Sequence, residues 1–352
     1  MSHSKSLTRR NFLKRLSTGA LTLSSFETFS KFALAETSDL PVRVTQTGNP
    51  FLRENWKNPF VRDGESLLVV VEGKDKTRML EAGIEALGGI EGIIKEKEAV
   101  IKPNFVSPQP YPVTTDPDFA IAIANYLKKA GSKKIIICDA PGSDLYGGKD
   151  RKFKFHKMFE KGEKAGVEVI ATDSMKKEEF IDQKRKEWEA NPVISVNRTV
   201  LKAPVIINTV VLKKHSAARM SCSLKNNFGT VLQTLRTNAH IKSSQGEEGM
   251  KFYMKTISEF ADAVRPDLNI VDANSIMLRE HLISLGGEVK TGINKMILGG
   301  DMVAIDVYCA KLLEKHDSTF SADMVSITQS YAEKLGLGTS DLSKVKIIEI
   351  TA

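Results

Sequence analysis

A repeated pairing constrains this chain most: a short run of branched apolar residues, then a segment long enough for a helix. Such runs occupy residues 67–71, 99–102, 135–138, 167–171, 193–196, 205–212, 268–271, 295–298 and 345–350. Most of them lack the apolar–polar alternation of a half-exposed strand, so they read as strands buried on both faces. Helical periodicity fills residues 77–94, 154–165, 175–189, 249–264, 303–313 and 321–335. Asp116 as an N-cap, Pro117 in the first turn and Gly131 past the end frame one more helix. Strands separated by helices imply parallel crossovers. The expected fold class is therefore α/β, a mostly parallel sheet with helices on both faces, over residues 66–352, as one domain or as two lobes. Residues 36–65 show no period and read as an extended leader.

Four of the strands end at their carboxyl side in a polar cluster. They lead into Lys102-Pro103-Asn104, Asp139-Ala140-Pro141-Gly142, Lys213-Lys214-His215 and Asp272-Ala273-Asn274. In an open parallel sheet these ends share one edge, the edge at which such folds bind ligands. Lys102, Lys213 and Lys225 are suited to neutralise an anion, and Asn104, Thr115 and Asn226 to orient it. Lys225 and Asn226 reach the edge only if residues 221–228 turn back as a helix. His215, flanked by lysines, should keep a neutral ring fit to move a proton, which makes His215, Lys213 and Lys102 the catalytic candidates. Asp139 and Asp306, the latter a carboxylate in apolar company, are candidates to hold a divalent metal or to position His215. The plainer readings are a turn at Asp139 and helix starts at Asp116 and Asp301. The glycine-rich residues 142–148 match neither nucleotide-binding fingerprint.

The N-terminus reads as an address. Thr8-Arg9-Arg10-Asn11-Phe12-Leu13-Lys14 fits the twin-arginine pattern, an apolar stretch follows, and Ala33-Leu34-Ala35 offers a cleavage site after Ala35. A chain sent by this route folds first and then passes through the twin-arginine (Tat) machinery to the periplasm or another extracytoplasmic space. The formal charge of +8 is concentrated there: six cations against one anion in the first 35 residues leave +3 for the remainder. So modest a charge, with 7% aromatic residues, argues against nucleic acid as a partner. Cys138, Cys222 and Cys309 form no closely spaced pair.

Six ordered motifs resemble the domain-of-unknown-function 362 family: Ile101-Lys102-Pro103-Asn104, Thr114-Thr115-Asp116-Pro117, Asp139-Ala140-Pro141-Gly142, Leu212-Lys213-Lys214-His215, Ser223-Leu224-Lys225-Asn226 and Asp301-Met302-Val303-Ala304-Ile305-Asp306. The resemblance covers residues 67–350 and implies an α/β fold. For many relatives it also implies an attached ferredoxin-like segment that carries iron–sulfur clusters. Three scattered cysteines cannot supply the usual four thiolates, so no such cluster is expected on this chain alone. Lys214 stands where relatives commonly carry Thr, and the usual Gly-Pro after Asp272 is absent. The resemblance supplies no established activity. The residues favour an exported enzyme, or a protein of enzymatic ancestry, that holds a small anion; the alternative is a non-catalytic accessory of an envelope redox or cofactor-assembly system.

Overall fold

The structure is a computed structural model that describes residues 51, 53–140, 156–172 and 175–352. The twin-arginine pattern, Ala35 and most of the leader lie outside the described residues. The strands, in chain order, are β1 (Val61–Arg62), β2 (Glu65–Glu72), β3 (Glu98–Lys102), β4 (Lys134–Asp139), β5 (Glu168–Ala171), β6 (Phe180–Gln183), β7 (Ile194–Asn197), β8 (Val205–His215), β9 (Arg219–Ser221), β10 (Leu268–Leu278), β11 (Glu288–Lys290), β12 (Lys295–Gly299) and β13 (Val345–Thr351). The main sheet runs β13-β2-β12-β10-β8-β3-β4-β5, with β1, β9 and β11 as short hairpin partners. β10, β8, β3, β4 and β5 are all parallel.

Both faces of this sheet are covered, which explains the unbroken apolar runs. Along β2, Leu67, Val69 and Val71 pack with the helices Lys76–Leu87 and Pro117–Lys129, while Leu68 and Val70 pack on the other side with the helix Met302–His316. β4 divides the same way, with Ile135 and Ile137 on one side and Ile136 and Cys138 on the other. Asp116 caps its helix by accepting from Asp118 N, with Pro117 inside the first turn. Among the described residues no helix is long and apolar enough to cross a membrane.

One strand departs from the mostly parallel order, and one expected helix is corrected. β12 runs antiparallel to both β10 and β2, because residues 279–294 return by a short hairpin instead of a crossover helix. The helix expected over residues 175–189 is instead a short 3-10 turn, then β6 paired antiparallel with β7. Tertiary anchors override helical propensity there. Phe180, Ile181 and Gln183 are buried, the Trp188 indole donates to Asp262 at 2.6 Å, and Arg185 pairs with the same carboxylate at 2.6 Å. Of the leader, Arg53 is tied down, donating to Val264 O and Arg265 O and pairing with Asp267 at 2.9 Å.

Candidate functional site

Because β3, β4, β8 and β10 are parallel, Lys102, Asp139, Lys213 and Asp272 all lie toward the carboxyl edge of the sheet. β8 runs seven residues beyond the position where Asn208 pairs with Lys102. It then turns back through β9, with Lys213 opposite Ser221 and His215 opposite Arg219. The short helix Ser223–Asn226 follows and delivers Lys225 and Asn226 to the edge, so the turn-back comes from a hairpin as well as a helix.

One buried network joins six of the expected residues. Lys102 Nζ pairs with Asp139 Oδ1 at 2.7 Å and donates to Pro103 O at 2.5 Å and Asn226 Oδ1 at 3.3 Å. Asp139 also accepts from Phe105 N at 2.8 Å and Ala140 N at 2.9 Å. Lys213 Nζ donates to Asn104 Oδ1 at 2.5 Å and Val113 O at 2.7 Å. The Asn226 amide is the hub: its oxygen accepts from Asn104 Nδ2 at 2.8 Å, and its nitrogen donates to Asn208 Oδ1 at 2.7 Å. Thr115 accepts from Asn104 N at 2.8 Å and reaches Thr209 O at 3.4 Å, so its hydroxyl serves two main-chain groups. Both lysines are 1% exposed.

Gly229 is required beside the ion pair. A Cβ there would overlap Asp139 Oδ1 and lie 2.8 Å from Lys102 Nζ, so only glycine permits the approach. The loop carrying Asn104, Val113 and Thr115 is held down by a second cluster. Lys76 Nζ lies 2.9 Å from both Asp116 and Asp272, and Tyr111 donates to Asp272 at 2.8 Å. Lys76 also sits 3.5 Å from the Tyr111 ring centroid.

His215 and Lys225 belong to an adjoining group rich in rings. The His215 ring stacks on His281 with centroids 4.0 Å apart and planes 4° apart, and His240 lies 6.5 Å away. Lys225 Nζ is 3.3 Å from the Phe228 centroid and 6.0 Å from that of Tyr253. No ion pair or hydrogen bond holds Lys225 among the described residues. The Tyr253 hydroxyl is buried and has no hydrogen-bond partner among the described residues. Of this group, only His281 has a carboxylate among the described residues, with Nδ1 2.5 Å from Glu280 Oε1.

These surroundings disfavour positive charge throughout. Burial and then the neighbouring Lys102 charge press Lys213 down to about 7, against the opposing pull of Asp139. Burial lowers Lys102 too, opposed by Asp139. His215 is held well below the usual imidazole range by burial, then by His281, Lys225, His240 and Lys213. The neutral ring was expected, but from the flanking lysines; burial outweighs them. Lys214 points elsewhere and donates to Arg279 O. Lys225 and His240 are likewise pushed well down by burial and nearby cations, Arg236 among them.

Asp306 is apart from this edge network in its bonding. Its carboxylate accepts from Ser223 N at 2.8 Å and Leu224 N at 3.4 Å, where the short helix begins, and burial raises it to about 7. Asp139 is committed to Lys102 and two main-chain amides. Among the described residues, no three His, Cys, Asp or Glu side chains gather as a metal set. Sequence reasoning missed His240, His281, Tyr253, Asn208 and Gly229. His240 arrives on the unforeseen helix Gln233–Ser243 and His281 on the turn after β10, and neither carries a local signature.

The family model described as "Domain of unknown function (DUF362)" matches residues 99–311. The chain belongs to the DUF362 family. The matched span contains every residue of the buried network. Within the wider set of known proteins, this DUF362 chain is 24% identical over 261 residues to thylakoid-associated protein sll1697 of Synechocystis, which covers 72% of this chain and 73% of that protein. Among solved structures, it is similar to the lactate racemase apoprotein of Thermoanaerobacterium thermosaccharolyticum, with a TM-score of 0.43 and 12% identity. That match covers 67% of this chain and 54% of the racemase chain, so it spans about half of that structure.

Proposed function

We propose that this DUF362 protein is an enzyme, or of enzymatic ancestry, that binds a small anion at the carboxyl edge of its sheet. One observation carries the reading: Lys225 lies over the Phe228 ring beside the stacked rings of His215 and His281, with His240 6.5 Å from His215, and among the described residues no carboxylate forms an ion pair with Lys213, His215, Lys225 or His240. Such a cluster is stabilised by an incoming negative charge. Lys225 and His215 would meet the anion, Lys213 and His215 would move protons, and the Lys102–Asp139 pair with Asn104 and Asn226 would fix the frame.

The test is a thermal-shift and calorimetric titration of the full chain with inorganic phosphate and malonate. Phosphate or malonate at about 100 times its Kd should add about 2.7 kcal/mol of stability. His215→Ala and Lys225→Met should each weaken binding about tenfold or more, since a charge-assisted hydrogen bond contributes roughly 1.5–3 kcal/mol. No shift with either anion, or equal shifts in both variants, would sink the proposal.

We also propose that residues 1–35 direct export by the twin-arginine route, on the strength of Arg9, Arg10 and Ala35 in the expected order. Arg9→Lys with Arg10→Lys should leave the unprocessed chain in the cytoplasm when cell fractions are compared. Processing and export as in the parent chain would refute this.

A further inference from the structure

The two buried lysines differ in the number of acceptors around them. An ammonium has three N–H bonds to place, whereas a neutral amine has two and a lone pair. Lys102 has three acceptors, one of them charged: Asp139 Oδ1, Pro103 O and Asn226 Oδ1. That set suits an ammonium. Lys213 has two, Asn104 Oδ1 and Val113 O, both neutral and both close, and no carboxylate pairs with it among the described residues. That set suits a neutral amine, whose lone pair remains free. A lysine that is desolvated beside another cation is an activated amine nucleophile. The burial of Lys213 and the nearby charge of Lys102 meet both conditions.

We propose that Lys213 Nζ forms an imine with the carbonyl carbon of a small 2-oxo acid whose carboxylate faces Lys225 and His215. This rests on the anion-binding reading above and names its substrate class. His215 stands two residues further along β8, on the same face of the strand as Lys213. Its Nδ1 accepts from Ala218 N at 3.3 Å, which leaves the ring proton of the neutral form on Nε2. In the reaction, the Nζ lone pair attacks the carbonyl carbon and the carbonyl oxygen takes up a proton. That proton comes from the attacking nitrogen and gives the neutral carbinolamine; the second nitrogen proton then passes to the hydroxyl, the C–O bond breaks, and water leaves as the C=N bond forms. Nothing is oxidised or reduced, and amine and 2-oxo acid become imine and water. The Nε2–H of His215 is left to donate to the substrate carboxylate, and the protons pass from nitrogen to the leaving oxygen.

The experiment uses the full chain with pyruvate, and separately 2-oxoglutarate, at pH 7.5 with sodium cyanoborohydride. Intact mass and peptide mapping then locate the reduced adduct. A lysine titrating near 7 is mostly unprotonated at that pH, whereas an ordinary lysine is so in about one part in a thousand. One adduct on Lys213, formed about a hundredfold faster than on exposed lysines, is therefore the expected result. Lys213→Arg, checked for folding by circular dichroism, should lose that adduct. Should this variant not fold, the mapped position in the parent chain still decides. Labelling spread over exposed lysines, or none at Lys213, overturns the proposal. Phosphate and malonate separate the two ideas: stabilisation by them without an adduct removes the imine alone, and neither effect removes the anion site as well.

Discussion

Asp139→Ala is expected to lower the stability of the chain by about 3–5 kcal/mol, because it strands the Lys102 ammonium without its counter-charge. The lysine is 1% exposed and cannot reach solvent, and its two other acceptors, Pro103 O and Asn226 Oδ1, are neutral. The same change removes the carboxylate acceptor of Phe105 N, while Ala140 N keeps Gly229 O at 3.0 Å. A hydrogen bond to a charged group contributes about 1.5–3 kcal/mol, and its loss adds to the cost. Lys102→Met should cost less, since Asp139 then keeps two main-chain donors. Urea unfolding followed by circular dichroism supplies both values. If Asp139→Ala falls within about 1 kcal/mol of the parent chain, or Lys102→Met is the more harmful, the pair is not the strut described here.

This asymmetry also bears on what the sequence could disclose. Lys102, Asp139 and Lys213 were foreseeable at one edge because strand direction is written in the alternation of strands and helices, and each residue directly follows an apolar run. Their pairing was not, since Asp139 between a strand and a Pro-Gly turn reads equally as a turn former. Asp306 misleads in a related way. A carboxylate within Ala304-Ile305-Asp306-Val307 looks like a ligand, yet it accepts the first amides of the helix Ser223–Asn226, a service that only the folded chain reveals. His240 and His281 come from elements joined to the site by tertiary packing alone, so no spacing rule links them to His215. The helix wrongly expected over residues 175–189 fails for the same reason. Its charges find partners far away, such as Glu189 with Lys255 and Lys334 at 2.6 Å each, and these contacts outweigh local propensity.

Lys213 should make stability rise with pH between about 7 and 9. Its folded value is about 7 against 10.5 in the unfolded chain, so across that window the unfolded chain binds more protons at this position. Stability therefore increases with pH, by at most about 1.4 kcal/mol per unit, and is lost again as pH falls through 7. Below 7 the lysine is charged in both states and the dependence ends. Above about 9 the Cys138 thiol, raised by burial, works in the opposite direction, because the unfolded chain releases that proton first. Lys213→Met removes only the first effect. Relative to the variant, the parent chain should gain about 1–3 kcal/mol from pH 7 to 9, whatever fixed cost the variant carries for leaving Asn104 Oδ1 and Val113 O without their donor. Denaturant midpoints across that range measure the gap. A gap that stays flat would show that Lys213 keeps its proton in the folded chain, and an ammonium has no lone pair with which to attack a carbonyl.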